Sequence, residues 1–183
     1  MDIKETQIPG CYQIFPAIRR DTRGKFVKVF HQEMFERENL NFNLAEEYYS
    51  VSERNVLRGL HFQIPPRDHT KLVYCLVGEI LDAVVDLRLN SPTYGKWQLF
   101  ELSAERANIL YLPPGLAHGF YVTSQQAIMV YNVSTVYAPE CDSGILWNSV
   151  GIPWKCNEPI VSERDRQFVP FSEFKSPFVY REV

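Results

Sequence analysis

From Glu46 onward the chain repeats one pattern: a short run of aromatic and β-branched residues, then a break. The runs cover 46–52, 55–63, 70–88, 96–102, 108–112, 118–123 and 127–137, with PPRD, NSPTYG, LPPG and TSQQ among the breaks. Runs of this kind, bounded by Pro, Gly, Asn and Ser, read as β-strands. Many short strands at near-regular spacing predict an all-β sandwich, jelly roll or barrel. Ahead of them, CYQIFPAIRR (11–20) reads as a strand and DTRG (21–24) as a turn. KFVKVFH (25–31) reads as a second strand, setting Phe26, Val27 and Phe30 against Lys25 and Lys28. HQEMFERENL (31–40) predicts a short helix that ends at NLNFN. After Ala138 the Pro-rich tail, with Trp147 and Trp154, is expected to wrap the strands as turns and short helical pieces. Within it VSERDRQF predicts a helix with Ser162 as N-cap and Asp165 at the third helical position.

Composition narrows the picture. The 183 residues suit one domain, 1–183, and 45% hydrophobic content is enough for a real core. Net charge is −3 with no basic block, which argues against duplex nucleic acid as a partner. MDIKETQIPG lacks the apolar stretch of a signal peptide, and no apolar run approaches membrane-spanning length. A cytoplasmic location away from membranes is the expectation. Cys11, Cys75, Cys141 and Cys156 show no CxxC and no zinc-like spacing, and Cys75 sits in an apolar run as a small core residue.

Three side chains stand out for chemistry: His61 in RGLHFQ, Lys71 at the head of TKLVYCLVGEILDAVVDLR, and Tyr131 in AIMVYNVSTVYAPE. An imidazole, an ammonium and a phenol on separate strands supply a base, a charge stabiliser and an acid. That set suits proton exchange beside a ketone and needs neither a metal nor a redox cofactor. Each has a plainer reading. Under strict alternation His61 shares a face with Leu57 and Gln63, as a core histidine would. Gly59 between Arg58 and His61 is where a bulge could bring those two to one cavity. Lys71 leads an inward apolar stripe (Val73, Cys75, Val77), where an ammonium is costly unless it meets an anion or snorkels to water. Tyr131 shares a face with Met129 and Val133, which suits packing equally well. Asp165 could orient an imidazole or simply favour a helix N-terminus. LPPGLAHGF presents His118 after Pro113 and Gly115, like half of a metal-binding cupin motif. The other half offers His61–Phe62–Gln63 and then Lys71, too few ligands for a metal cage.

RGLHFQ, PP-x-x-x-x-KLV, GEILDAVVDLR-x-NSPTYGKW, ELSAE, LPPGLAHGF and VYAPE together resemble the dTDP-4-dehydrorhamnose 3,5-epimerase family. DTRGKF, IPW and VSERDR extend the likeness over nearly the whole chain. The resemblance implies a jelly-roll, cupin-like β-sandwich barrel with a few short peripheral helices, a homodimer, and no metal or cofactor. Its substrate would be a nucleotide-diphosphate sugar, made for surface polysaccharide. It implies His61 as base, Asp165 as its orienting carboxylate, Lys71 as enolate stabiliser and Tyr131 as acid. Arg58 and Arg23 would hold the diphosphate and His118 would line the sugar pocket. Phe26 would reach the neighbouring subunit's site on an exchanged N-terminal segment, about residues 10–30.

Three departures bear on the substrate. Lys28 stands where the family carries an acidic residue, and a donor there suits the bare N3 and O2 of cytosine. CDP therefore stands beside dTDP as the nucleotide. Glu46–Glu47–Tyr48–Tyr49–Ser50 replaces the family's QDNHS, and Asn132 replaces a Lys. Whether carbon 3, carbon 5 or both are inverted stays open. Competing functions are a ketoisomerase of the same fold, a non-catalytic sugar-nucleotide binder and a metal-dependent cupin oxygenase.

Overall fold

A computed structural model describes residues 1–156 and 158–181. Its strands, in chain order, are β1 Asp2–Glu5, β2 Tyr12–Phe15, β3 Ile18–Asp21, β4 Gly24–Val27, β5 Glu46–Glu53, β6 Leu57–Gln63, β7 Lys71–Val77, β8 Glu79–Asp86, β9 Trp97–Ser103, β10 Ile109–Leu112, β11 Leu116–Val122, β12 Gln126–Val133 and β13 Asp142–Gly144. Helix α1, Gln32–Arg37, precedes β5, and helix α2, Glu163–Arg166, follows β13. One sheet has the order β1-β2-β10-β7-β12-β5 and the other β13-β6-β11-β8-β9, while β3 and β4 form a separate hairpin. From β5 to β13 successive strands alternate between the two sheets, except β8 and β9, which pair with each other; this is the jelly-roll, cupin-like class expected.

The residues explain the breaks. Pro16 has no N–H to give a ladder, so 11–20 divides into β2 and β3. The long run 70–88 divides at Gly78, whose φ is +80° and whose Cβ, if it had one, would lie 2.1 Å from the Gln126 carbonyl oxygen. β4 ends at Val27, short of the expected 31, on a hairpin with little apolar cover. β1 and β13 were not foreseen, because DIKE and DSG carry no apolar alternation. Helix α2 forms as read: the Ser162 side chain accepts a hydrogen bond from the Asp165 amide.

Apolar residues of both sheets meet in a central core that includes Val73, Cys75, Val84, Phe120 and Met129. β8 is buried on both faces, which is why EILDAVVD reads as nearly continuous rather than alternating. Ile80 and Val84 face the central core; Ala83, Val85 and Leu87 face a second one, built with Ile145, Trp154 and Phe178 of the tail. A third core packs Phe35 and Leu40, in and just after α1, on Leu72 and Ile109 of the six-stranded sheet. Beyond β8, Arg88 grips Asp86 through two 2.8 Å hydrogen bonds while Ser91 and Thr93 donate to the same carboxylate. The DLR-x-NSPTYG motif thus locks a turn, remote from the site.

Candidate active site

Arg58 and His61 reach one cavity because β6 is bulged. His118 pairs with His61 and Phe120 with Arg58, so Gly59 and Leu60 together stand against Gly119 alone. Gly59 has φ +131°, and a Cβ on it would lie 2.5 Å from the Gly119 Cα. No other residue fits there without moving a strand. The bulge sends Leu57 and Leu60 into the second core and turns Arg58 and His61 to the cavity. Strict alternation, which put Leu57 on the His61 face, fails at this point.

The cavity, about 330 Å³, opens between the two sheets. His61, Arg58 and His118 come to it from the five-stranded sheet, and Lys71, Tyr131 and Glu46 from the six-stranded one. Asp165 lies behind His61: its Oδ1 is 2.9 Å from Nε2, and its Oδ2 accepts the Gly59 amide at 3.0 Å. Burial raises this carboxyl, but the His61 hydrogen bond and charge, the Gly59 amide and Ser162 together hold it below the usual carboxylate range. A carboxylate only accepts, so Nε2 carries the ring proton and Nδ1 keeps a free lone pair. The Phe168 ring meets the imidazole edge-on at 5.7 Å and further fixes its plane.

Lys71 is 6% exposed, and its ammonium donates to the His61 carbonyl oxygen at 3.3 Å. Burial lowers it to about 8, against the opposing pull of Asp142 and Asp82. A cation this poorly solvated favours any negative oxygen that enters the cavity. The Tyr131 hydroxyl lies 3.2 Å from Ser50 Oγ, and its ring stacks on Tyr48. Burial keeps the Tyr131 phenol well above its ordinary range despite the Ser50 hydrogen bond, so it holds its proton. His118 Nδ1 lies 3.3 Å from Asp82 Oδ2 at the buried end of the site. Burial pushes the imidazole far down and the carboxyl far up, so both favour neutral forms. Arg58 is aimed by Ser52, which accepts from its Nε at 2.9 Å, and Glu46 by the Tyr137 amide, which donates to it at 2.8 Å. His69 sits beside Lys71 with Nδ1 3.2 Å from Gln63 Nε2. Burial, then the Lys71 charge, lowers it to about 3. Among the described residues, no three His, Cys, Asp or Glu side chains converge as a metal ion would require.

A family sequence model described as dTDP-4-dehydrorhamnose 3,5-epimerase matches residues 5–173. The chain belongs to that family. It is 40% identical to the dTDP-4-dehydrorhamnose 3,5-epimerase of Shigella flexneri, over 90% of this chain and 93% of the relative. It superposes with TM-score 0.92 and 34% identity on the Legionella pneumophila epimerase solved with dTDP-4-keto-L-rhamnose, covering 99% of each chain. ChmJ of Streptomyces bikiniensis, a 3′-monoepimerase solved with dTDP-quinovose, matches with TM-score 0.87 and 33% identity over 91% of this chain and 86% of that one.

Six of the residues that the resemblance implied as site residues come together: His61, Lys71, Tyr131, Arg58 and His118 line the cavity, with Asp165 behind His61; Glu46, expected to bear on the substrate as a departure from the family, lines it too. Arg23, Phe26 and Lys28 do not. They lie on or beside the β3–β4 hairpin, and none lines this cavity. Phe26 is 62% exposed, and Arg23 pairs with Asp21 at 2.6 Å. Sequence reasoning named Tyr48 and Ser50 only within the segment that departs from QDNHS, and passed over His69, Tyr137, Asp142 and Arg164; all six also line the cavity. Tyr48 and Ser50 were within reach, since they alternate with Glu46 along β5. His69, in a loop, gives no signal, and Asp142 lies on β13.

Proposed function

We propose that the protein inverts carbon 3, carbon 5 or both of a nucleotide-diphosphate 4-keto-6-deoxyhexose, in deoxysugar synthesis for surface polysaccharide. The reading rests on one observation: His61 and Tyr131 enter a single cavity from opposite sheets, with Lys71 beside them. Inversion needs a proton removed on one face of the sugar and returned on the other.

Carbons 3 and 5 both flank the carbon-4 ketone. His61 Nδ1 takes the hydrogen from one of them, and the electron pair moves onto the ketone oxygen. The Lys71 ammonium stabilises that enolate oxygen, a preorganised contact typically worth about 3–4 kcal/mol. The Tyr131 hydroxyl then delivers a proton to the same carbon from the far side, and the ketone re-forms. One enolate-oxygen site serves either carbon. Neutral His118 lines the sugar pocket without adding charge. Arg58 takes the diphosphate. Arg23, Phe26 and Lys28 serve the site of a second subunit, in a homodimer that exchanges N-terminal segments. The enzyme works in the cytoplasm.

The similar proteins named above are dTDP-sugar enzymes. Lys28, a donor, favours CDP as the second candidate nucleotide. Binding of CDP and dTDP side by side decides between them, and a clear preference for dTDP rejects cytidine.

The reaction is tested in D₂O with dTDP- and CDP-4-keto-6-deoxyglucose, following carbons 3 and 5 by NMR. Deuterium at an inverted centre is expected. A carbonyl moved to carbon 3 would identify a ketoisomerase instead, and binding without deuterium entry a non-catalytic module.

A further inference from the structure

We propose that Tyr48 is a positioning residue for the acid of this site: stacked on Tyr131, it holds that phenol in line for proton return. The inference rests on the reading of Tyr131 above and adds a residue to it.

Tyr48 and Tyr131 are direct cross-strand partners between β5 and β12. Their ring centroids are 4.8 Å apart and their planes 17° from parallel. Two residues along β5, the Ser50 hydroxyl lies 3.2 Å from the Tyr131 hydroxyl. β5 therefore grips Tyr131 twice, at its ring face and at its oxygen. The His118 ring is less close, 6.1 Å away and tilted by 58°. The remaining side of Tyr131 borders the cavity, which offers the ring space to turn into. The terminal torsion of a tyrosine turns the ring about an axis through its hydroxyl oxygen, so it is a swing about the preceding torsion, into free volume beside the ring, that displaces the hydroxyl.

Tyr48 is assigned as the support rather than the acid: it is 41% exposed, whereas Tyr131 is 7% exposed. No hydrogen bond ties its hydroxyl to Ser50 or Tyr131, whereas Ser50 is engaged with Tyr131. What Tyr48 offers Tyr131 is the flat face of a ring. Aromatic pairs favour this near-parallel stacked arrangement.

The consequence is selective. Proton removal by His61 occurs from the other sheet and does not involve Tyr48. If Tyr131 loses its alignment, the enolate still forms, and His61 returns a solvent-derived hydrogen to the face it came from. Exchange then continues while inversion fails.

The test compares Tyr48→Ala, Tyr48→Phe and Tyr131→Phe in D₂O. Tyr48→Ala is expected to keep deuterium entry within about threefold of wild type while net inversion falls about 100-fold, the effect of a reacting group displaced by about an ångström. kcat should fall with little change in KM. Tyr48→Phe retains the ring and should restore net inversion. Parallel loss of exchange and inversion, a rise in KM alone, or failure of Tyr48→Phe to rescue overturns the proposal. A second readout requires no turnover. Ring-labelled tyrosine NMR should show Tyr131 held alike in wild type and Tyr48→Phe, and newly mobile in Tyr48→Ala. Unchanged Tyr131 resonances in folded Tyr48→Ala refute the positioning role. A mobile Tyr131 in an enzyme whose wild type never exchanges deuterium instead refutes the epimerase reading and leaves the packing intact.

Discussion

Asp165 and His61 lie 104 residues apart and meet at 2.9 Å, carboxylate to Nε2. The carboxylate decides which ring nitrogen stays free to accept a proton, because it accepts the proton on Nε2 and leaves Nδ1 bare. Its second oxygen takes the amide of Gly59, the bulge residue that turned His61 inward. One side chain thus secures both the backbone and the tautomer.

Asp165→Asn should expose that dual role. If the amide oxygen keeps the Gly59 N–H, its NH₂ faces Nε2 and forces the ring proton onto Nδ1. The base is then blocked although the fold persists. Deuterium exchange and inversion should fall together, by about 10²–10⁴-fold. Rates near wild type would remove Asp165 from the mechanism.

In the proposed mechanism Lys71 acts only while charged, and burial brings it down to about 8. kcat/KM should therefore decline as pH rises through about 8, where the ammonium becomes an amine. Lys71→Met should lose about 10²–10³-fold at neutral pH, and its residual activity should lack that basic limb. A limb that survives in Lys71→Met would belong to another group. pH–rate profiles of the two proteins make the comparison.

The strand pattern made most of this fold legible, and the failures have physical causes. Runs with apolar cover were read close to their observed limits, as with β5, β9 and β10. β13 was missed because DSG pairs through its backbone alone, and it carries Asp142 to the cavity. His61, Lys71 and Tyr131 were visible as polar groups on apolar strands. The bulge was suggested by Gly59, but its effect was not: Leu57 leaves the His61 face. Lys28 and Phe26 show another limit. A hairpin that packs on little within its own chain leaves no pattern that assigns it to a site.

His69 should shape stability in acid. Its imidazole titrates at about 3 in the fold against 6.5 when free, because burial and the Lys71 charge oppose protonation. Below 6.5 the unfolded chain binds a proton that the native protein refuses, so stability falls with pH until about 3. One such group contributes a slope of about 1.4 kcal/mol per pH unit in that window. His118, lowered in the same direction, adds to it. His69→Gln should flatten the slope by about one proton's worth, measured as urea midpoints from pH 7 to 4. An unchanged slope would mean that His69 is protonated in the native state.

The hairpin provides the test of assembly. Arg23, Phe26 and Lys28 lie outside the cavity of their own chain, and Phe26 is 62% exposed. If the hairpin completes a second subunit's site, two inactive variants can restore each other. His61→Ala lacks a base but keeps a sound hairpin; the double variant Arg23→Ala/Phe26→Ala has the reverse defect. In a mixed dimer one cavity receives intact parts from both chains and the other receives neither. Random reassortment places half the molecules in mixed dimers, so about a quarter of the wild-type sites should return. Activity of the co-refolded mixture measures this, with each variant alone as the baseline and light scattering to report the dimer. A mixture no more active than its components would confine the hairpin to its own subunit.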